Sequence, residues 1–303
     1  MGARYVKRTT QGHAFPLTIV GAELFLIGLA LFGLARLDWW KALELGILEG
    51  VTEFLPISST AHLLIATNLL NFEVTEKGTF EIFIQLGAVI AVAGFYARAL
   101  LAQARALPVR SETRHFWLGI LMAFLPAAVT GVLLHSWIKA VLFSPPVIAV
   151  ALILGGIVFL VVEHLPERPS TVHTVQGISL RQALGIGLAQ TLAIIPGVSR
   201  SGASIIGGML AGLDRQTATA FSFYLAIPTL GAATIYELLT SLSSLTPGDM
   251  GLLLLGMVVS LVVAWLSIDW LLRYVATNSF VAFGIYRIGA GIVILALIAW
   301  GKL

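Results

Sequence analysis

Apolar runs fill most of this chain, and their lengths divide them into two kinds. Runs near 78–97, 116–137, 146–163, 217–241, 250–271 and 279–300 are long enough, as helices, to cross a bilayer core of about 30 Å. Residues 41–54 and 58–71 are shorter pieces of about 14 residues, or about 21 Å of helix each. Pro56 separates them, so the pair predicts a re-entrant hairpin whose tip is buried in protein. A second broken pair, 181–195 and 203–213, is split by "PGVSRSG" (196–202). One further apolar run, 15–35, is interrupted only by Glu23 and follows Arg4, Lys7 and Arg8. It predicts an extra, uncleaved N-terminal transmembrane helix, because no small-residue cleavage site precedes Trp39 and Trp40. An interfacial segment is the alternative for it.

The pattern repeats. "GILEGVTEFLPISSTA" (46–61) lies over "GLAQTLAIIPGVSRSG" (187–202), and the same offset places Phe80 on Phe221 and Phe83 on Tyr224. "GIVFL" (156–160) also resembles "GIVIL" (291–295). Each half is then one hairpin plus three spans, about 41–163 and 181–300. An odd number of spans per half makes the halves inverted, the architecture of many secondary transporters. The expected fold is an all-α polytopic membrane protein with an inverted-topology repeat. An N-terminal extension (1–38) precedes one membrane-embedded domain (39–303). The positive-inside rule agrees with this layout. Arg98, Arg105, Arg110 and Arg114, then Arg168 and Arg181, then Arg215 and Arg273 all fall on the cytoplasmic side if both hairpins return to their side of entry. The first hairpin then enters from outside and the second from inside.

Composition gives the same answer. The chain has 303 residues, 58% hydrophobic and 11% charged, with a mean hydropathy of +0.96. Soluble domains carry about 25% charged residues, so lipid must solvate most of this surface. There are no cysteines, which excludes disulfides, thiolate catalysis and zinc–thiolate sites. The net charge of +3 is spread over segment ends, a distribution suited to loop anchoring in membrane lipid and unlike a nucleic-acid footprint.

Against that background the hairpin tips are polar. Glu49 and Glu53 are four residues apart and share a helix face. Two carboxylates inside a membrane repel each other unless a cation sits between them or one is protonated. All-oxygen ligation suits Mg²⁺ or Ca²⁺. Ser58, Ser59 and Thr60 follow, more hydroxyls than one helix cap needs. His62 lies three residues after Ser59, so a helical turn brings its ring towards that hydroxyl, and a hydroxyl beside a base is an activated nucleophile. The second tip carries Ser199, Arg200, Ser201 and Ser204 in a glycine-rich loop that opens a helix. Backbone amides at a helix start and a guanidinium fork form an anion site, although the Walker A spacing is absent. Meeting near the midplane, the two tips read as metal-assisted phosphoryl transfer. The substrate's remaining part is then apolar and membrane-borne.

These stretches resemble the undecaprenyl-pyrophosphate phosphatase family of the bacitracin-resistance type. "EGVTEFLPISSTAH" (49–62) resembles its first motif and "PGVSRSGAS" (196–204) its second; "FEIFIQLGA" (80–88), "RQALGIGLAQ" (181–190), "FSFYLAIP" (221–228) and "FVAFGIYR" (280–287) are also similar. The resemblance covers roughly residues 40–300. It implies hydrolysis of undecaprenyl pyrophosphate to the monophosphate and inorganic phosphate, which recycles the lipid carrier for peptidoglycan and other wall polymers and confers bacitracin resistance. It also implies a divalent-cation requirement and an inner-membrane location with the active site open to the periplasmic side. In its terms Glu49 and Glu53 match the acidic pair, Ser59 the nucleophile, His62 the histidine, and Ser199 with Arg200 the phosphate-binding pair. Ala61 stands where glycine is usual and Ser204 where threonine is usual. Three mechanisms stay open: attack by Ser59, by His62, or by water. A lipid-phosphate flippase or anion transporter is the competing function, and a homodimer is left open.

Overall fold

The computed structural model describes residues 38–72, 79–165, 170, 172–241 and 250–303. The expected helix over 15–35, with Glu23, and the cytoplasmic Arg168 lie outside the described residues. Residues Asp38–Leu303 form one compact unit. Among the described residues it is all helical, apart from a single β-bridge between Val172 and Leu213.

The first broken pair is α1 (Asp38–Thr52) and α2 (Ser59–Leu70). Helix α1 ends four residues before Pro56, whose ring and missing amide would break an α-helix that ran on. The next span, α3 (Thr79–Phe95), runs into α4 (Ala97–Ala106) through a bend of 62°. Helix α4 falls where the sequence pattern predicts only a loop. Its alanines, leucines and arginines are strong helix formers, and no residue of it is buried. Then come α5 (Ser111–Val141) and α6 (Pro145–His164). The second broken pair is α7 (Leu180–Thr191), a short 3₁₀ turn, and α8 (Arg200–Leu210). Helices α9 (Arg215–Ser241), α10 (Met250–Tyr274) and α11 (Val281–Ala299) complete the chain. Helices α5, α6, α9, α10 and α11 are long and apolar enough to cross a membrane, and the bent α3–α4 pair makes a sixth candidate. Their outward faces carry exposed apolar side chains such as Val132, Leu133 and Leu266, the pattern expected of surface solvated by lipid.

Helix packing places the hairpins. Helix α1 lies along α10, α7 lies along α5, and α6 lies along α11. Glycine permits the first two approaches: a Cβ at Gly46 would stand 2.7 Å from the Gly256 carbonyl oxygen in α10, and one at Gly187 would stand 2.4 Å from the Ala123 carbonyl oxygen in α5. Close backbone contact of this kind is how helices associate where no hydrophobic effect drives them together. Helix α2 sits between two apolar clusters. Its Leu63 packs with Leu45, Phe80 and Leu253, and its Ala61 packs with Ile148, Leu152 and Ile294. At one end of the bundle the buried Glu163 of α6 takes a forked contact from Arg215, with Nε 3.0 Å and Nη2 2.5 Å away, and accepts the Phe280 amide at 2.8 Å. That carboxylate ties together the ends of α6, α9 and α11.

Candidate active site

The two hairpin tips meet. Helix α8 begins at Arg200, three residues earlier than the apolar pattern suggests, so Ser199 is its N-cap and its Oγ accepts the Gly202 amide at 3.1 Å. Ser58 holds the same place before α2. Ser58 has φ 74° and Ser199 φ 76°, left-handed values that cost a non-glycine residue about 1–3 kcal/mol. The two serines are superposed by the sequence repeat, so the same backbone corner occurs at both tips.

Glu53 is the hub. The Ser59 hydroxyl donates to its Oε2 at 2.5 Å, and Arg200 Nη2 approaches its Oε1 at 3.3 Å. Both side chains are almost wholly withdrawn from solvent: the Arg200 side chain is 10% exposed and that of Glu53 6%. Arg200 Nη1 is anchored on the Ser222 carbonyl at 3.0 Å and its hydroxyl at 3.3 Å, while its guanidinium lies 5.8 Å from the centre of the Phe54 ring. Arg200 is thus held inward and does not run to the membrane surface. A serine hydroxyl has one proton, and here it is given to Glu53. His62 is occupied elsewhere. Its Nδ1 lies 2.7 Å from the Ser58 carbonyl oxygen and its Nε2 lies 2.6 Å from the Tyr286 hydroxyl. A carbonyl only accepts, so Nδ1 carries a proton; in the neutral ring Nε2 then accepts from Tyr286. The expected approach of His62 to the Ser59 hydroxyl is therefore replaced by a Ser59–Glu53 contact, and His62 braces the loop from behind.

A cavity of about 560 Å³ opens beside this hub. Glu53, Ser58, Ser59 and Thr60 line it from the first tip, and Pro196, Gly197, Ser199 and Arg200 from the second. Its remaining wall is mostly apolar and comes largely from α5 and α9, including Ala128, Val132, Leu230 and Ala233, with Gln85 of α3 and Gln190 of α7 adding polar groups. Ser201 and Ser204 are not among its lining residues. Ser201 donates across the gap to the Leu55 carbonyl at 3.0 Å, and Ser204 is bonded to the Arg200 carbonyl and to Ser222. Their hydroxyls join the tips and shape the start of α8, where the sequence pattern suggested phosphate contact.

Glu49 is 1% exposed, and its Oε2 finds no hydrogen-bond partner among the described residues. Among those residues no three histidine, aspartate or glutamate side chains are grouped to cage a metal. The donor set is two carboxylates one helical turn apart, all oxygen, with one oxygen buried and unpartnered. That set fits Mg²⁺, which is commonly bound by one or two carboxylates with substrate phosphates and water completing its shell.

Two residues of α11 lie in the family-like stretch "FVAFGIYR" (280–287) and have no role in the motif reading. Tyr286 holds His62, and its ring stacks with the imidazole at 5.6 Å between centroids. Arg287, fully buried, reaches backbone carbonyls of both tips: Pro56 at 3.0 Å, Gly197 at 3.0 Å and Val198 at 2.9 Å. The available signal was an arginine in the middle of an apolar run, which marks a functional position by its cost alone.

The sequence is similar to known proteins over most of its length. Residues 42–293 match the family model described as bacitracin resistance protein BacA. The chain is 47% identical over 263 residues to the undecaprenyl-diphosphatase of Acidovorax ebreus, an alignment covering 87% of this chain and 96% of that protein. It is 49% identical to the undecaprenyl-diphosphatase of Albidiferax ferrireducens, covering 86% and 95%. With the undecaprenyl-diphosphatase of Deinococcus radiodurans the identity is 47%, covering 88% and 98%.

Proposed function

This chain belongs to the bacitracin resistance protein BacA family, and on that premise we propose that it hydrolyses undecaprenyl pyrophosphate to undecaprenyl phosphate and inorganic phosphate. The observation that carries the reading is Glu53, a carboxylate in contact with both a serine hydroxyl and the arginine of the opposite loop. The pyrophosphate enters the cavity between the tips, facing Arg200 and the amides that open α8. Ser59 Oγ attacks the terminal phosphorus and Glu53 Oε2 takes its proton. The anhydride bond to the bridging oxygen breaks, and the lipid monophosphate departs with the electron pair and that proton. Water then attacks the phosphoserine, Glu53 accepting its proton and returning it to Ser59 as the P–O bond opens. Arg200 stabilises the charge on the phosphoryl oxygens in both steps. Glu49 with Glu53 would hold a divalent cation, Mg²⁺ or Ca²⁺, which supplies Lewis-acid neutralisation of phosphate oxygens.

Several observations support an inverted repeat of re-entrant hairpins around this site. The pairing of α1 with α10 is answered by α7 with α5, their repeat equivalents, and Gly46 and Gly187 make the two close approaches. Together with the arginine distribution, this supports a location in the bacterial inner membrane with the cavity open to the periplasmic side. The reaction there recycles the carrier lipid for wall synthesis and confers bacitracin resistance.

Quenching purified protein during turnover of substrate labelled in its terminal phosphate tests the mechanism. Phosphoserine, lost in Ser59→Ala together with on the order of 10³-fold or more of the activity, is the expected result. Phosphohistidine would transfer the role to His62, and no labelled protein would transfer it to water. Internal symmetry favours the second reading, a lipid-phosphate or anion transporter. Chelator-sensitive phosphate release in detergent, with no membrane gradient, is expected of the hydrolase and not of the transporter.

A further inference from the structure

Arg287 lies beneath both hairpin tips in a setting that asks for an explanation. It is 0% exposed, and among the described residues it forms no salt bridge. A buried cation costs several kcal/mol unless it is well bonded, and here only neutral backbone carbonyls and the face of Phe159, 5.7 Å away, receive it. The arrangement of those carbonyls is specific. Nη1 donates to Pro56 of the first tip, and Nη2 donates to Gly197 and Val198 of the second. Pro56 and Gly197 are themselves superposed by the sequence repeat, so one planar fork bridges corresponding points of the two halves. A lysine ammonium is a single-point donor and does not reproduce that span.

We propose that Arg287 is a positioning residue for the hydrolysis, holding the two hairpin tips in register so that Glu53 and Ser59 meet Arg200 and Ser199. The proposal rests on the hydrolase reading above. Its leverage comes from chain proximity. Pro56 lies midway between Glu53 and Ser59, and Gly197 and Val198 directly precede Ser199 and Arg200. A displacement of these carbonyls therefore moves the reacting groups with them. The seat of the guanidinium is built by its neighbour: a Cβ at Gly155 of α6 would stand 2.1 Å from Nη2 and 2.9 Å from Cζ. Glycine at 155 leaves the space that the fork fills. Losing register on the scale of 1 Å is enough to slow an assembled site by about 10²-fold.

Phosphate release from undecaprenyl pyrophosphate by purified protein in detergent micelles tests this, using Arg287→Lys, Gly155→Ala and the double variant, with Ser59→Ala as control. Gly155→Ala keeps the arginine and pushes its guanidinium aside, so the test survives if Arg287→Lys does not fold. Each single variant is expected to lower kcat by at least about tenfold and to raise KM by about fivefold or more, the scale of lost charge-assisted bonds. The double variant is expected to fall short of the product of the two, because both act on one contact. KM is the deciding readout, since an unfolded fraction lowers apparent kcat and cannot change KM. Variants with wild-type KM, and kcat reduced only in proportion to the folded fraction, would show that Arg287 merely stabilises the fold and would overturn the proposal. A wild-type protein that releases no more phosphate than protein-free micelles overturns the hydrolase reading and this proposal with it. Active wild type beside unaffected variants overturns this proposal alone.

Discussion

At the residue scale, the site depends on who holds whom. Ser59 gives its proton to Glu53, while His62 is fixed by the Ser58 carbonyl on one side and Tyr286 on the other. If His62 braces the loop and takes no phosphoryl group, Tyr286→Phe removes one neutral hydrogen bond of about 0.5–1.5 kcal/mol and lowers kcat by roughly 2- to 10-fold. Steady-state phosphate release reads this directly, and a drop beyond about 10³-fold would argue for a chemical role of His62. The residue types at the tips were legible in the sequence, since acids, hydroxyls and an arginine stand out in an apolar chain. Their partners were not. Helical spacing brings His62 towards Ser59, yet Glu53, six residues back across a break, takes the hydroxyl. Only the path of the chain through Pro56 decides that, and local periodicity does not contain it.

At the element scale, the short helices follow from length alone, because 15 residues of α1 and 12 of α2 cannot cross the bilayer core singly. The break at Pro56 was likewise written in the chain. Helix α8 starts earlier than the apolar pattern predicts, since Ser199 caps it from a left-handed corner that serine rarely adopts and that no pattern of apolar positions announces. Helix α4 reads as a loop in the pattern because its ten residues carry two arginines and lie at and beyond the end of the apolar run. Close packing of the hairpins leads to a prediction. In Gly187→Ala the new methyl group would press on the Ala123 backbone at 2.4 Å, a contact that a flexible side chain cannot relieve. The expected destabilisation is about 1–3 kcal/mol, measured as a lowered unfolding midpoint in detergent. An unchanged midpoint would mean that α7 and α5 are less tightly apposed than described.

At the scale of the whole molecule, the sequence repeat carries over backbone features and not the chemistry. Corners, close glycines and carbonyls recur in both halves, whereas Glu49, Glu53 and His62 face Gln190, Ile194 and Ala203 across the repeat. In the proposed mechanism one half supplies the attacking groups and the other the phosphate clamp. The cavity between them is walled largely by apolar side chains. Val132 lines it and is 77% exposed, on a helix long and apolar enough to cross a membrane. A polyprenyl tail can rest against that wall without leaving the bilayer. The encounter of enzyme and substrate is then two-dimensional, and the concentration that governs it is mole fraction in the lipid phase. Adding inert phospholipid at constant total substrate is expected to lower the rate below saturation in proportion to surface dilution, while diluting the whole sample with buffer leaves the turnover per enzyme nearly unchanged.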